Sequence, residues 1–200
     1  MKKYLLTLLV AATTIILVGC TTNNQKEKST EKQLKTGIQN VIEYKSNGKA
    51  VKDKSVLGDN VLIFSPKDDA SDIQKKLDEI YNIQERNQFG DERYAIAFMP
   101  GDYGKSLQVN VGYYTQVLGL GVLPTDTNIN KLWVDASWMN HNATCNFWRG
   151  AENFSINEYC MWANSQAVSL RRINSEDGIV LSDGEGWSSG GFMADSKFNG

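Results

Sequence analysis

The sequence predicts a mainly β fold, a parallel solenoid in which short strands stack as successive coils. Between Asn146 and Asn199, short apolar segments recur, and each is ended after a few residues by Asn, Ser, Asp or Gly. No window in this region repeats apolar residues at the i, i+3, i+4, i+7 spacing of an amphipathic helix. A solenoid coil buries its apolar face only against the next coil, so the preceding chain is expected to start or cap the stack.

Residues 1–19 are predicted to be the signal peptide of a bacterial lipoprotein. Lys2 and Lys3 give a positive start, and the apolar run that follows is too short for a comfortable membrane span. The run ends at Gly19-Cys20, which resembles a lipobox, in which the Cys thiol receives the lipid. An ordinary secretory signal with an incidental Cys is the alternative. Acylation of Cys20 predicts a protein anchored to the cell membrane and facing the extracellular side.

The remaining chain divides into a tether and one domain. Residues 20–36 contain one large apolar side chain and are predicted to be flexible, whereas residues 37–200 are predicted to form the β-solenoid domain. The net charge is −2, and no cluster of Lys and Arg is interleaved with aromatic residues. This pattern argues against nucleic acid as a partner.

Individual elements follow from local patterns. The predicted strands are 60–64, 94–98, 107–111, 114–120, 129–134, 153–156, 168–173, 178–181 and 191–194. One helix is predicted from Ser71-Asp72-Ile73-Gln74, which matches a capping box, to a stop between Asn87 and Gly90. Its expected buried face consists of Ile73, Leu77, Ile80, Tyr81 and Gln84. For residues 37–59, a short strand and a helical turn both remain open.

Several of these segments resemble the pectate-lyase-like superfamily. They are the helix at 71–78, the Phe98-Met99-Pro100-Gly101-Asp102-Tyr103 turn and Val117-Leu118-Gly119-Leu120-Gly121. Segments 146–153 and 187–192 are similar to a bacterial secreted subgroup related to family 55 glycoside hydrolases. The resemblance implies a right-handed single-stranded parallel β-helix with an N-terminal capping helix, truncated at its C-terminus in this sequence. The superfamily holds lyases, hydrolases, epimerases and non-enzymatic tailspikes, so fold alone does not fix the reaction.

Sugar hydrolysis requires two carboxyl groups on one face, about 5 to 9.5 Å apart depending on the stereochemical course. Parallel coils place equivalent positions about 4.8 Å apart, so acids on adjacent coils can form such a pair. The candidate catalytic residues are Glu152, Asp183, Glu185 and Asp195, with Glu158 as a further acid. Two structural alternatives stay open: Glu152 forms a salt bridge with Arg149, and residues 183–186 form a simple turn.

Sugar stacking is predicted for two of the five tryptophans, Trp148 and Trp187, because aromatic faces contact sugar C–H groups; the others are expected in the core. A lyase is disfavoured, because strand alternation is expected to send Arg171 and Arg172 to opposite faces.

Cys145 and Cys160 form a disulfide or are buried as free thiols. The single histidine, His141, and the absence of a Cys-x-x-Cys pair predict no metal site, and no nucleotide or other cofactor motif occurs.

These observations favour a surface-anchored carbohydrate-active protein, a glycoside hydrolase of polysaccharides. Its catalytic carboxylates are expected to come partly from coils beyond this sequence, so the chain alone is expected to be inactive. The alternative is a non-catalytic β-helical lipoprotein for carbohydrate binding or adhesion. The expected partners are a polysaccharide or cell-surface glycan and, through the lipid, the membrane.

Overall fold

A computed structural model of the chain describes residues 57–184 and 186–199. The predicted signal peptide, Cys20 and the tether at 20–36 lie outside the described residues, as does Glu185. Within the described ranges, no helix has the length and apolar character needed to cross a membrane.

The described residues form a parallel β-solenoid of about five turns with one α-helix, as predicted from the sequence. The helix is α1 (Ala70–Gln84). The strands are β1 (Val61–Phe64), β2 (Tyr94–Phe98), β3 (Gly101–Asp102), β4 (Gln108–Asn110), β5 (Thr115–Gly119), β6 (Thr127–Ile129), β7 (Lys131–Val134), β8 (Arg149–Ile156), β9 (Cys160–Trp162), β10 (Val168–Ser175), β11 (Ile179–Val180), β12 (Phe192–Ala194) and β13 (Lys197–Phe198). Short 3₁₀ helices span Pro124–Asp126, Ser137–Met139 and Ala143–Cys145.

The described strands form two sheets, in which every pair is parallel. The larger sheet has the central order β1-β2-β5-β8-β10-β12, and β3, β6 and β13 pair alongside it. The smaller sheet has the order β11-β9-β7-β4. Inward positions of both sheets share one apolar core, which includes Ile96, Val117, Leu132, Phe154 and Leu170. Each coil therefore buries its apolar side against the coils on either side of it.

Backbone in the left-handed conformation turns the chain at the same point of successive coils. Strands β8 and β10 each bend at such a residue, Asn153 with φ 65° and Arg172 with φ 53°. Asn153 lies opposite Arg172 in the β8–β10 register, so the two bends stack. Because a residue with positive φ interrupts strand alternation, a side chain at the bend does not follow the two-residue period.

Helix α1 begins one residue before the predicted capping box. Its N-cap is Asp69, whose carboxylate accepts hydrogen bonds from the backbone N–H groups of Ser71 and Asp72. These bonds, together with one from the Ser71 hydroxyl, hold the pKa of Asp69 below its ordinary value. The prediction that Ser71 starts the helix is therefore wrong, because an Asp two residues earlier satisfies the free N–H groups.

The end of α1 is set by Gln84 rather than by the glycine at position 90. The Gln84 side chain is fully buried and donates to the carbonyls of Glu92 and Tyr113, at 3.0 and 2.8 Å. Its own backbone carbonyl accepts from the N–H of Tyr113 at 2.8 Å. The one polar residue predicted on the apolar face of the helix thus joins the helix to the second coil.

Two close contacts explain the tyrosine and the glycine of the turn after β2. The Tyr103 hydroxyl donates to the carbonyls of Phe64 and Met99, at 2.8 and 2.9 Å, and its ring packs edge-on against Phe98 at 5.0 Å. Gly101 has φ 147°, and a Cβ there would collide with the Pro66 ring. Tyrosine and glycine are therefore required at these positions to tie the first strand to the second.

Both described cysteines are free thiols. Cys160 is buried in the core, while Cys145 is half-buried in the segment that precedes β8. Burial raises the pKa of the Cys160 thiol to about 12, so the thiol stays protonated at neutral pH. Of the two alternatives that the sequence left open, the structure therefore has free thiols at Cys145 and Cys160 and no disulfide between them.

Candidate functional site

A groove of about 960 Å³ runs along the outer face of the larger sheet. Each of the six central strands contributes to it, through Val61, Tyr94, Gln116, Arg149, Ser169 and Phe192. Five spacings of about 4.8 Å between parallel strands give the groove a length of roughly 24 Å along the solenoid axis. Its shape suits an extended polymer that lies along the axis.

An aromatic stack forms one wall of the groove. The rings of Tyr114 and Trp148 lie 5.2 Å apart and 15° from parallel, and the Arg93 guanidinium lies 3.3 Å from the centre of the Tyr114 ring. Trp148 also meets Phe147 edge-on at 4.5 Å, and 40% of its surface stays exposed. A planar group with one ring face stacked and much of its surface open is suited to contact the apolar face of a sugar.

The register of the strands produces this stack. Tyr94 pairs with Thr115, so the preceding residues Arg93 and Tyr114 lie side by side on adjacent coils. Gln116 pairs with Gly150, so Tyr114 and Trp148, each two residues earlier, are also neighbours. Tyr114 and Trp148 both have positive φ, 53° and 55°, and share the same corner conformation. The ring separation of 5.2 Å is therefore close to the strand spacing of about 4.8 Å.

The next coil carries a small residue at this corner. Ala167, with φ 54°, occupies the position of Trp148, because Val168 pairs with Arg149. Both Ala167 and Trp148 line the groove. The stack of side chains thus stops at Trp148, where a small methyl group replaces the next ring.

Polar groups converge on the floor of the groove at Gly150. A Cβ added at Gly150 would collide with the Gln116 side-chain oxygen and would lie 2.8 Å from the Ser169 hydroxyl. Glycine therefore makes room for both side chains, which are exposed on the coils on either side. Together they place one amide and one hydroxyl, each able to donate and accept hydrogen bonds, next to Trp148.

A second polar cluster lies beside the same corner. The Ser165 hydroxyl contacts the Gln166 side-chain oxygen and lies 2.7 Å from the Ser189 hydroxyl. The N–H of Ser189 donates to the carbonyl of Asn164 at 3.2 Å, which fixes the two coils to each other. Gln166 and Ser189 are exposed, so these groups also face solvent near the groove.

The candidate acids Glu152 and Asp195 bind the same arginine. Arg171 Nη1 lies 3.0 Å from Glu152, and Arg171 Nε lies 3.3 Å from Asp195. All three side chains are substantially exposed, so the network contributes little to folding stability. The two acids lie on either side of Arg171, on coils that are separated by the coil of β10. They meet through the arginine and do not form the pair on adjacent coils that was considered from the sequence.

Arg149 is not the partner of Glu152, contrary to the alternative considered from the sequence. Arg149 is 3% exposed, and its Nη1 donates to the Val111 carbonyl at 2.6 Å. Its guanidinium also lies 4.8 Å from the Tyr113 ring centre. Burial lowers the pKa of Arg149 to about 10, so the group remains charged at neutral pH. The salt-bridge interpretation failed because the Arg149 guanidinium is buried against Tyr113 and the Val111 carbonyl, while Glu152 is partly exposed beside Arg171.

Arg171 and Arg172 do not point to opposite faces. Arg172 lies at the bend of β10, where its Nε donates to Asn153 Oδ1 and its Nη2 to the Val122 carbonyl, at 3.0 and 2.9 Å. Its positive φ breaks the alternation on which the prediction rested. Both guanidinium groups are consequently occupied by contacts on the outside of the coil.

The Asp183 carboxylate makes contacts that hold two parts of the chain together. Its Oδ2 accepts from the backbone N–H of Ala136 at 2.8 Å and lies 2.9 Å from His141 Nδ1. The side chain is 13% exposed. These contacts join Asp183 to the long connection between β7 and β8. Glu185 lies outside the described residues.

One further predicted position is Trp187. Trp187 is 76% exposed and follows the turn that contains Asp183; its role in sugar stacking stays a prediction. Among the residues that the structure describes, no three His, Cys, Asp or Glu side chains are grouped to bind a metal ion.

Sequence reasoning missed most of the groove. Tyr114, Gln116, Ser169 and Phe192 belong to it together with Trp148, and these five residues are spread over the coils of β5, β8, β10 and β12. The available sequence signal was a polar residue near the start of two predicted strands, Gln116 in 114–120 and Ser169 in 168–173. That signal identifies a site only once the register of the strands is known.

Comparisons with known proteins support this carbohydrate interpretation. The chain is 48% identical over 149 residues to an exo-β-1,3-glucanase of Streptomyces sp. (strain SirexAA-E / ActE). The chain is homologous to this glucanase. The match covers 72% of the chain and 24% of the glucanase, so the chain spans about a quarter of the length of the curated relative. No family model matches the chain.

Solved structures show the same relationship. The structure of sacteLam55A from Streptomyces sp. SirexAA-E has a TM-score of 0.67 and 47% identity, over 70% of this chain and 26% of that one. An ensemble-refined variant of sacteLam55A in complex with glucose gives a TM-score of 0.67 and 48% identity, with the same coverage. Homology to a glycoside hydrolase and the shared β-solenoid fold thus confirm the predicted relationship to β-helical glycoside hydrolases.

Proposed function

We propose that this protein acts on β-1,3-glucan as part of a glycoside hydrolase, and that its described coils bind the polysaccharide. The observation that carries the proposal is the 48% identity to an exo-β-1,3-glucanase, combined with the groove that this homologous segment forms. The groove offers what sugar binding requires: an exposed ring at Trp148 and hydrogen-bonding groups at Gln116 and Ser169.

The candidate catalytic acids that the structure describes are all engaged in contacts within its coils. Glu152 and Asp195 remain candidates because they share one outward-facing cluster, yet both bind Arg171, and Asp183 binds the Ala136 N–H. Hydrolysis needs one carboxyl group that donates a proton and a second that activates water or attacks the sugar. We therefore assign at least one of the two acids to a part of the enzyme outside the described coils.

This occupancy of the candidate acids favours a second function, non-catalytic binding of the same glucan. The two functions differ in turnover but share the groove. In both, the glucan is held along the solenoid axis by stacking at Trp148.

Binding by the full chain tests the proposed function. We expect the chain to bind a long soluble β-1,3-glucan in calorimetry and to bind a β-1,4-glucan of similar length at least tenfold more weakly. Release of reducing sugar from the β-1,3-glucan separates hydrolysis from simple binding. Equal affinity for the two glucans, or no binding of either, contradicts the proposal.

We also propose that Cys20 carries a lipid that anchors the protein at the extracellular face of a bacterial cell membrane. The support is the apolar run that ends at Gly19-Cys20 and the polar tether that follows. Replacing Cys20 with alanine is expected to move the protein from the membrane fraction to the soluble fraction, and globomycin is expected to block processing of the unaltered chain. Unchanged fractionation in both experiments contradicts the anchor.

A further inference from the structure

A large apolar side chain lies fully open beside the aromatic stack. Phe89 is 88% exposed, the largest exposed fraction among the large hydrophobic side chains of the described residues. It follows helix α1, in the short segment 87–92 that leads to Arg93 and β2. A single exposed apolar side chain is common on protein surfaces, so the significance of Phe89 depends on how the chain around it is held.

The stack itself holds the backbone on both sides of Phe89. The Tyr114 hydroxyl donates to the carbonyl of Gln88 at 2.8 Å, and Arg93 Nη1 donates to the carbonyl of Gly90 at 2.9 Å. Tyr114 and Arg93 are two members of the stack that ends at Trp148. Two members of the stack thereby hold the backbone on both sides of Phe89.

Further bonds restrain the ends of the same segment. Asn87 Nδ2 donates to Gln84 Oε1 at 2.6 Å and to Glu92 Oε2 at 2.7 Å. Gln84, itself fully buried, donates to the Glu92 carbonyl at 3.0 Å. The loop that carries Phe89 is therefore anchored to the core by side-chain hydrogen bonds. An exposed ring on an anchored backbone loses little conformational entropy when a ligand stacks on it.

We propose that Phe89 is a second sugar-stacking residue, which extends the groove along the solenoid axis and binds a β-1,3-glucan chain at a distance from Trp148. This inference rests on the proposed function and deepens it. The groove already reaches the neighbouring strands at this end, because Val61, Arg93 and Tyr94 line it. Phe89 lies just outside the residues that line the groove, so the proposed site lengthens it: a chain bound at Trp148 continues past the Arg93–Tyr114 pair to Phe89.

The inference predicts a dependence on chain length. A glucan long enough to span both rings contacts Phe89 and Trp148, whereas a disaccharide held at Trp148 does not reach Phe89. Replacing Phe89 with alanine is expected to weaken binding of a long β-1,3-glucan about threefold to tenfold and to leave the affinity for the β-1,3-linked disaccharide unchanged. Phe89→Trp is expected to restore binding of the long glucan.

Two comparisons make the experiment specific, with calorimetric titration of the full chain as the measurement. Val122→Ala is the matched control, because Val122 is 78% exposed on a loop whose carbonyl accepts a hydrogen bond from Arg172, and it should leave both affinities unchanged. Trp148→Ala should weaken both ligands. If Phe89→Ala leaves the long glucan unaffected, or weakens both ligands equally, the outer site is disproved while the proposed function stands. If the unaltered chain binds no β-1,3-glucan, the proposed function itself fails.

Discussion

Replacing Arg149 with alanine is expected to lower the free energy of unfolding by about 3–4 kcal/mol. The guanidinium is buried, donates to the Val111 carbonyl at 2.6 Å and lies over the Tyr113 ring. The substitution leaves a buried carbonyl without its donor and opens a cavity where the long side chain lay. Removing a buried charge recovers some desolvation energy, but this gain does not replace the lost contacts. Urea unfolding followed by tryptophan fluorescence measures the change.

Two further variants separate the causes of this loss. Arg149→Met keeps most of the volume and removes the charge, so it is expected to cost about 1–2 kcal/mol, mainly for the unpaired carbonyl. Arg171→Ala removes an exposed arginine of the same strand system and is expected to change stability by less than about 1 kcal/mol. If Arg149→Ala is as stable as the unaltered protein, the buried guanidinium does not support the corner that carries Trp148.

Replacing Trp148 with alanine is expected to weaken binding of β-1,3-glucan about tenfold or more. The indole offers an exposed surface to the groove while its other contacts, with Tyr114 and Phe147, keep it in place. Alanine retains the left-handed corner that Ala167 adopts on the next coil, so the backbone is expected to tolerate the change. The dissociation constant from calorimetric titration is the measurement.

The control for this variant is Tyr159→Ala, directly before strand β9 of the smaller sheet. Tyr159 and Trp148 have nearly equal exposed fractions, 39% and 40%, but Tyr159 contacts Trp133 and not the groove. Tyr159→Ala should leave the affinity unchanged, and Trp148→Phe should recover much of it, because a smaller ring still stacks. Equal losses from Tyr159→Ala and Trp148→Ala would point to a general destabilisation of the fold instead of a binding site.

Local patterns predicted the solenoid well. The predicted strand at 94–98 matches β2 residue for residue, and those at 60–64, 114–120 and 168–173 match β1, β5 and β10 to within two residues at either end. These strands were predictable because β-branched and aromatic residues, followed by turn residues, act within a few positions of one another. Helix α1 was predicted for the same reason, from its local apolar period. Its N-cap was misplaced because Asp69 and Ser71 are both residues that favour an N-cap.

Contacts between coils were not predictable from the sequence. Glu152 pairs with Arg171 and not with its neighbour Arg149, because the β8–β10 register places Glu152 opposite Arg171. Gln116 reaches Gly150 only because the long connection between β7 and β8 leaves the coil register intact. Both depend on how many residues each loop accommodates, which no local pattern encodes. The groove was therefore visible in the sequence only through Trp148.

The groove crosses the strands at right angles, and this direction ties its length to the number of coils. Each additional coil adds about 4.8 Å of floor, with a new outward-facing position in line with Gln116 and Ser169, and leaves the width unchanged. Insertions such as the segment between β7 and β8 enlarge one loop without interrupting the floor. Duplication or deletion of whole coils is therefore a direct evolutionary route to a different preference for polymer length, independent of substitutions at individual sugar contacts.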